Sequence, residues 1–355
     1  MTSLDGHGGQ LAVAAARAHG VDTLFTLSGA HVFPMYDGAV TAEPPLRILD
    51  VRHEQTAVFA AEALGKLTRV PGLAVLTAGP GVTNGVSAIT QAQFSGSPLV
   101  VVGGRAPANR WGMGSLQELD QPPLLRSVTK SARTVHQVAD IATALDEAFT
   151  LAGTSHRGPA FLDVPMDAFF DKASVTAPIV APAAAVAPDE EALAVIGALL
   201  ATAERPVLVL GTDVWADGAE HAALRLVEEA GLPVVTNGMG RGVVPRGHRL
   251  LVTKARGRAF GSADLVIVAG TPLDFRLGYG VFGGRDVGSS LARVVHLADS
   301  PGQLSGHAEL AGSASGDLGL ILDGLVAAFQ RRPHQPDWSP WVATLRDEVA
   351  AATER

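Results

Sequence analysis

Short apolar runs alternate along this chain with longer stretches in which alanine and other small residues recur at helical spacing. Residues 22–27, 47–51, 73–77, 99–103 and 160–164 read as buried strands, and 54–68, 81–94 and 137–152 as the helices between them. Strands apolar on both faces belong to a parallel sheet covered by helices, so the pattern predicts a first doubly wound α/β domain over residues 1–170. Residues 171–188 change character, with prolines at 178, 182 and 188 and alanines too small to build a core, and read as an extended linker. The alternation then resumes, with a helix over 189–203, strands at 207–211, 234–237, 265–269 and 294–298, and a last helix near 317–329. This predicts a second α/β domain over 189–332, followed by a helix-forming tail over 333–355.

Composition narrows the class. The 355 residues are 47% hydrophobic and 17% charged with a formal charge of −8, which excludes a disordered polymer and a nucleic-acid binder held by bulk positive charge. No apolar run approaches the roughly 18 residues that span a bilayer, so no membrane association is expected. Cysteine is absent, which removes disulfides, thiolate metal sites and a cysteine nucleophile, and points to the cytoplasm.

The common hydrolase and nucleotide-phosphatase signatures are missing. There is no phosphate loop of the GxxxxGK type, no HExxH helix and no GxSxG elbow, and the eleven histidines show no metal-ligand spacing. Gly238-Met239-Gly240-Arg241-Gly242 follows a strand and reads either as a backbone that approaches a phosphate or as an ordinary turn.

Candidate chemistry gathers at strand ends. Arg52-His53-Glu54-Gln55 closes one strand and opens a helix, where the macrodipole alone favours an acid. Thr77-Ala78-Gly79-Pro80-Gly81-Val82-Thr83-Asn84 is a second such junction, with glycines that let the backbone approach a planar ligand. Ligands of open α/β sheets sit at these carboxyl ends.

With these motifs the chain resembles the thiamine-diphosphate-dependent enzymes of the acetolactate synthase group. The match runs through Ser28-Gly29-Ala30-His31, Arg52-His53-Glu54-Gln55, Ala78-Gly79-Pro80-Gly81 with Thr83-Asn84, and Ser97-Pro98-Leu99-Val100. It continues through Gln117-Glu118, Gly158-Pro159-Ala160 and Asp163-Val164-Pro165, in order and over essentially the whole chain. The resemblance implies that the first domain binds the cofactor's aminopyrimidine, that the second is a Rossmann-like central domain, and that a third domain, found in the family, binds the diphosphate.

By that resemblance Glu54 is the carboxylate on the aminopyrimidine ring nitrogen, where it stabilises the imino form that takes a proton from the thiazolium C2. Gly79, Pro80 and Asn84 line the pocket, and Gly29, Ala30 and His31 approach the reacting carbon. The Gly-Ala-His order is similar to the benzaldehyde lyase branch, where a histidine handles protons of the carbonyl adduct; a histidine hydrogen-bonded at a strand end is the structural alternative. Gln117 matches the Gln-Glu pair facing the substrate, with Leu116 where the synthases usually carry Phe.

The central domain resembles the part that holds FAD in the synthases, with Arg157 matching a flavin-contacting arginine and Gly211, Thr236 and Asp274-Phe275-Arg276 in the corresponding stretches. The family's Gly-Met-His-Gly is replaced by Lys254-Ala255-Arg256-Gly257, so Arg157 and Arg276 are open to FAD, to an adenine nucleotide, or to helix capping and ion pairing. The family's Gly-Asp-Gly segment and downstream Asn, which hold Mg²⁺ against the phosphates, have no counterpart, because Gly316-Asp317 lacks the second glycine.

The expectation is therefore a split enzyme whose cofactor site is completed, with the Mg²⁺ ligands, by a separate chain bearing the diphosphate-binding domain, within a larger homo-oligomer. Its expected substrate is a 2-oxo acid that is decarboxylated and joined to a carbonyl acceptor. A truncated synthase and a non-catalytic binding or regulatory homologue are the alternatives.

Overall fold

The computed structural model describes residues 3–177, 180, 184–284, 291–333 and 335–354. The chain divides into two compact units, Met1–Ala183 and Ala184–Arg355.

In the first unit the strands are β1 (Ser3–His7), β2 (Thr23–Thr26), β3 (Arg47–Asp50), β4 (Gly72–Leu76), β5 (Leu99–Arg105), β6 (Ser131–Thr134), β7 (Pro159–Pro165) and β8 (Lys172–Thr176). Six of them form one parallel sheet in the order β3-β2-β4-β5-β7-β6. The pleat sends Leu24, Leu73, Val75, Val100, Val102 and Leu162 to one face and Phe25, Ala74, Leu76, Val101 and Phe161 to the other, and each face carries its own buried core. Burial on both faces explains why these strands read as continuous apolar runs. Helices Gly8–Ala18, Phe33–Thr41 and Ile141–Gly153 contribute to the first core, and Glu54–Thr68 and Pro80–Phe94 to the second.

The chain leaves β2 toward β3 on one side and returns to β4 on the other, so the strand order reverses between β2 and β4. The loops that follow these two strands lie at the carboxyl ends of this switch point, which is where an open α/β sheet receives a ligand.

The second unit contains β9 (Pro206–Leu210), β10 (Val234–Thr236), β11 (Leu265–Ala269), β12 (Arg293–Ala298) and β13 (Gly312–Ser315). They form a parallel sheet in the order β10-β9-β11-β12-β13, again with a buried core on each face. Both units are thus doubly wound α/β layers.

Two stretches differ from the sequence expectation. The segment read as a linker from 171 begins as a strand, because β8 pairs antiparallel with β1, from Ser3 opposite Thr176 to His7 opposite Lys172. Prolines 178 and 182 of that segment lie outside the described residues. The tail after 333 is built into the second unit: Trp338 and Trp341 are buried, and their indole N–H groups donate to the carbonyls of Ala203 (2.9 Å) and Pro206 (3.1 Å). The helix Ser339–Glu354 continues that packing through Val342 and Leu345. Among the described residues no helix is long and apolar enough to cross a membrane.

Candidate active site at a sheet switch point

Four loops leave the carboxyl ends of β2, β3, β4 and β5, and they carry eight of the ten residues singled out from the sequence. Glu54 stands at the first position of the helix Glu54–Thr68, behind His53, whose ring accepts from the Gln55 amide at 3.2 Å. Its carboxylate is buried at 7% exposure, and Oε2 accepts from Nδ2 of Asn84 at 3.0 Å. Among the described residues Oε1 receives no hydrogen bond. A carboxylate oxygen left without a protein donor on an otherwise buried side chain is suited to a ligand's proton-bearing nitrogen.

Gly79 forms the turn that opens the helix Pro80–Phe94, with φ +56° and ψ −113°, a conformation that only glycine adopts readily. A Cβ there would also lie 2.8 Å from the carbonyl oxygen of Gln117. Pro80 and Asn84 follow on exposed positions of the first turns, and the Asn84 side chain reaches Glu54. Gly29 is extended, so its need for glycine is steric: a Cβ would stand 2.3 Å from Cβ of Thr77, against which the segment packs. Ala30 is exposed beside it, and His31 turns inward to 4% exposure.

The tautomer of His31 follows from its partners. Nε2 lies 3.2 Å from the Leu116 carbonyl, which can only accept, so this nitrogen carries the proton. Nδ1 then accepts from the Thr77 hydroxyl at 3.2 Å. Burial holds the imidazole below its ordinary value, against the opposing pull of the Leu116 carbonyl, and keeps the ring neutral near pH 7. Gln117 lies in the same loop with φ +57°, which brings its backbone over Gly79.

Arg157 and Arg276 lie elsewhere. Arg157 precedes β7 and therefore sits at the amino edge of the sheet, with Nη1 3.5 Å from Oγ of Ser155. Arg276, in the second unit, is held by Asp274 through contacts of 2.6–3.2 Å. Burial pushes the Asp274 carboxyl up, but the hydrogen bonds and charge of Arg276 outweigh it and leave the carboxyl below its usual range. Gly211 is explained by packing, since a Cβ would meet the Gly270 carbonyl at 2.3 Å. In the Gly238–Gly240 turn the amides of residues 238–241 all donate within the protein, and Cβ atoms on Gly238 and Gly240 would clash with Thr212 and Leu210, so the segment is a packed turn without amides to offer a phosphate.

The sequence reading missed Thr77, Gly104 and Gln121 as site residues. Gly104 seats His31, because a Cβ would lie 2.5 Å from the histidine Cβ. A polar residue at a strand end was the available signal for Thr77; Gln121 carried none.

The glycine-built opening at Gly79 and the unpartnered Oε1 of Glu54 fit a flat, nitrogen-bearing ring. Residues 6–124 match the thiamine pyrophosphate enzyme N-terminal TPP binding domain, and residues 193–325 match the thiamine pyrophosphate enzyme central domain. The chain belongs to the thiamine pyrophosphate enzyme family. It is 50% identical over 281 residues to a probable acetolactate synthase of Mycobacterium bovis, covering 78% of this chain and 51% of that protein. The acetolactate synthase large subunit IlvG of Mycobacterium tuberculosis matches with the same figures. A 2-hydroxyacyl-CoA lyase 2 of Caenorhabditis elegans is 35% identical over 312 residues, covering 77% of this chain and 48% of that protein. The chain spans about half the length of these curated relatives.

Proposed function

We propose that this chain carries the pyrimidine-binding half of the thiamine diphosphate site of an acetolactate-synthase-like carboligase or lyase, which decarboxylates a 2-oxo acid and joins it to a carbonyl acceptor. The observation that carries this reading is the buried Glu54 carboxylate, fixed through Oε2 by Asn84 and open at Oε1, at the switch point of the sheet. The bound cofactor would supply the carbanion chemistry that breaks and forms the carbon–carbon bonds. Glu54 holds and exchanges a proton at Oε1 with the pyrimidine ring nitrogen, a task that a glutamine amide cannot perform. Gly79 and Pro80 give the ring a wall without side-chain bulk, and Asn84 keeps the carboxylate in one orientation. His31 stores its proton on Nε2 against the Leu116 carbonyl, so it serves a substrate oxygen from that nitrogen only by giving up the Leu116 bond.

A separate chain bearing the diphosphate-binding domain and the Mg²⁺ ligands completes the site in this reading. Assembly therefore involves at least two chains, in the cytoplasm. Arg157 and Arg276 are proposed flavin or nucleotide contacts of secondary standing, checked by the visible absorbance of flavin in the purified protein. A lyase acting on 2-hydroxyacyl compounds is the second reading, favoured by the placement of His31; the 50% identity to acetolactate synthases favours the first.

The test mixes this chain with one carrying a diphosphate-binding domain, thiamine diphosphate, Mg²⁺ and pyruvate. CO₂ release that neither chain gives alone supports the reading, and its absence shifts the weight to a non-catalytic homologue.

A further inference from the structure

The Gly79 turn and the strands β5 and β7 of the first unit meet at one side chain that the roles above do not use. Gln121 is fully buried, and all its polar atoms are engaged. Oε1 accepts from the Gly79 amide at 2.8 Å, while Nε2 donates to the Gly104 carbonyl at 2.9 Å and to Oδ2 of Asp163 at 3.2 Å. The amide has one workable orientation: flipped, it would set NH₂ against the Gly79 N–H and oxygen against two acceptors.

Behind it lies a charged anchor. Asp163 is fully buried and accepts from Nη1 of Arg105 at 2.8 Å, and its other oxygen, Oδ1, has no partner among the described residues. Arg105 also reaches Asp120 at 3.1 Å and stacks on Trp111 at 3.8 Å. A buried ion pair of this kind is rigid, because moving either partner would leave an uncompensated charge. On the other side, the Gly79 amide sits at the start of a helix, where it has no intrahelical acceptor, and Gln121 supplies one.

We propose that Gln121 is a positioning residue for the cofactor pocket: it ties the Gly79 turn to the Arg105–Asp163 pair and so sets where the helix Pro80–Phe94 presents Pro80 and Asn84 to Glu54. Gln121 also lies four residues beyond Gln117, whose backbone packs on Gly79, so the Gly79 turn and the loop against it are pinned at one point. The structural part stands on the contacts alone; the kinetic consequence rests on the function proposed above.

Amide hydrogen exchange on the intact chain tests it. In Gln121→Met, exchange over residues 79–84 is expected to rise about tenfold or more, while the helix Ile141–Gly153 of the same unit stays within about twofold of wild type. Unchanged exchange over 79–84, or an equal rise in both segments, would overturn the proposal. Gln121→Glu is the conservative rescue. Its carboxyl, buried against Asp163, is protonated at low pH, where it donates to Asp163 and accepts from Gly79; as pH rises it ionises and faces two acceptors. Protection of 79–84, corrected for intrinsic exchange, should therefore be near wild type at about pH 5.5 and fall by about pH 8 in this variant alone. A flat profile would contradict the role, and this arm decides the matter if Gln121→Met does not fold. In the reconstituted enzyme, Gln121→Met should raise the half-saturating thiamine diphosphate concentration about tenfold with kcat at saturation within about threefold. Failure of the proposed function would show as no turnover in wild type with the exchange result intact; failure of this inference would leave wild-type turnover and flat exchange.

Discussion

Asn84 donates from Nδ2 to Oε2 of the buried Glu54 at 3.0 Å, linking the helix that follows β4 to the one that follows β3. The bond leaves Oε1 as the working face of the carboxylate. Replacing Asn84 by alanine removes the donor and is expected to cost roughly 1 kcal/mol of stability, read as a lower urea midpoint with an unchanged slope. It should also weaken cofactor saturation; an unaltered midpoint together with unaltered saturation would show that the bond holds nothing in place.

Thr77 donates its hydroxyl proton to Nδ1 of His31, the ring nitrogen left bare once the Leu116 carbonyl has fixed the proton on Nε2. Thr77→Val preserves shape and deletes that donor. The Leu116 carbonyl still holds the proton on Nε2, but Nδ1 loses the donor that favours the neutral ring, and the expected outcome is a shifted pH–rate profile in the reconstituted enzyme with little change in thermal midpoint. A profile that superimposes on wild type would remove Thr77 from the site.

Gly79→Ala combines backbone strain at φ +56° with a Cβ 2.8 Å from the Gln117 oxygen. Each mechanism alone costs about 1–3 kcal/mol, so the urea midpoint should drop clearly. Gly112, which also has positive φ but open space around its Cβ position, provides the comparison: Gly112→Ala should cost less.

His296, on β12 of the second unit, supplies a pH dependence whose sign is fixed by geometry. It is 1% exposed, Nε2 donates to the Thr271 carbonyl at 3.1 Å, and Nδ1 accepts from the Ser305 amide at 3.1 Å. Burial lowers its pKa against the pull of the Thr271 carbonyl, and the nearby His307 lowers it further. Below about pH 6.5 the unfolded chain takes up a proton that the folded chain refuses, so stability falls as pH drops through that value until the folded group also protonates. Urea midpoints between about pH 7.5 and 5 should decline less steeply in His296→Gln than in wild type. Equal slopes would contradict the assignment.

The parts legible in the sequence were those whose signal is local. Buried parallel strands such as Leu265–Ala269 are apolar throughout, and the helix Glu54–Thr68 shows its own start and length. Glu54, Gly79 and Asn84 stand at junctions where a strand ends and a helix opens, the second of them marked by glycines. The pairing of β1 with β8 joins segments about 170 residues apart, neither of which carries an apolar run, so nothing local marked it. β6 is a polar edge strand, Ser131-Ala132-Arg133-Thr134, hidden for the same reason. Gln121 and Thr77 acquire meaning only when loops from separate strands converge, and the glycines at 211, 238 and 240 proved to be demands of packing.

The measurement closest to the central claim is the rate of deuterium exchange at C2 of thiamine diphosphate bound to the reconstituted assembly, followed by NMR in wild type and Glu54→Gln. If Oε1 of Glu54 exchanges a proton with the pyrimidine ring, wild type accelerates the exchange far above that of the free cofactor and Glu54→Gln loses about a hundredfold or more, with the urea midpoint preserved. Equal exchange rates in the two proteins, with the cofactor bound in both, would contradict the role assigned to Glu54.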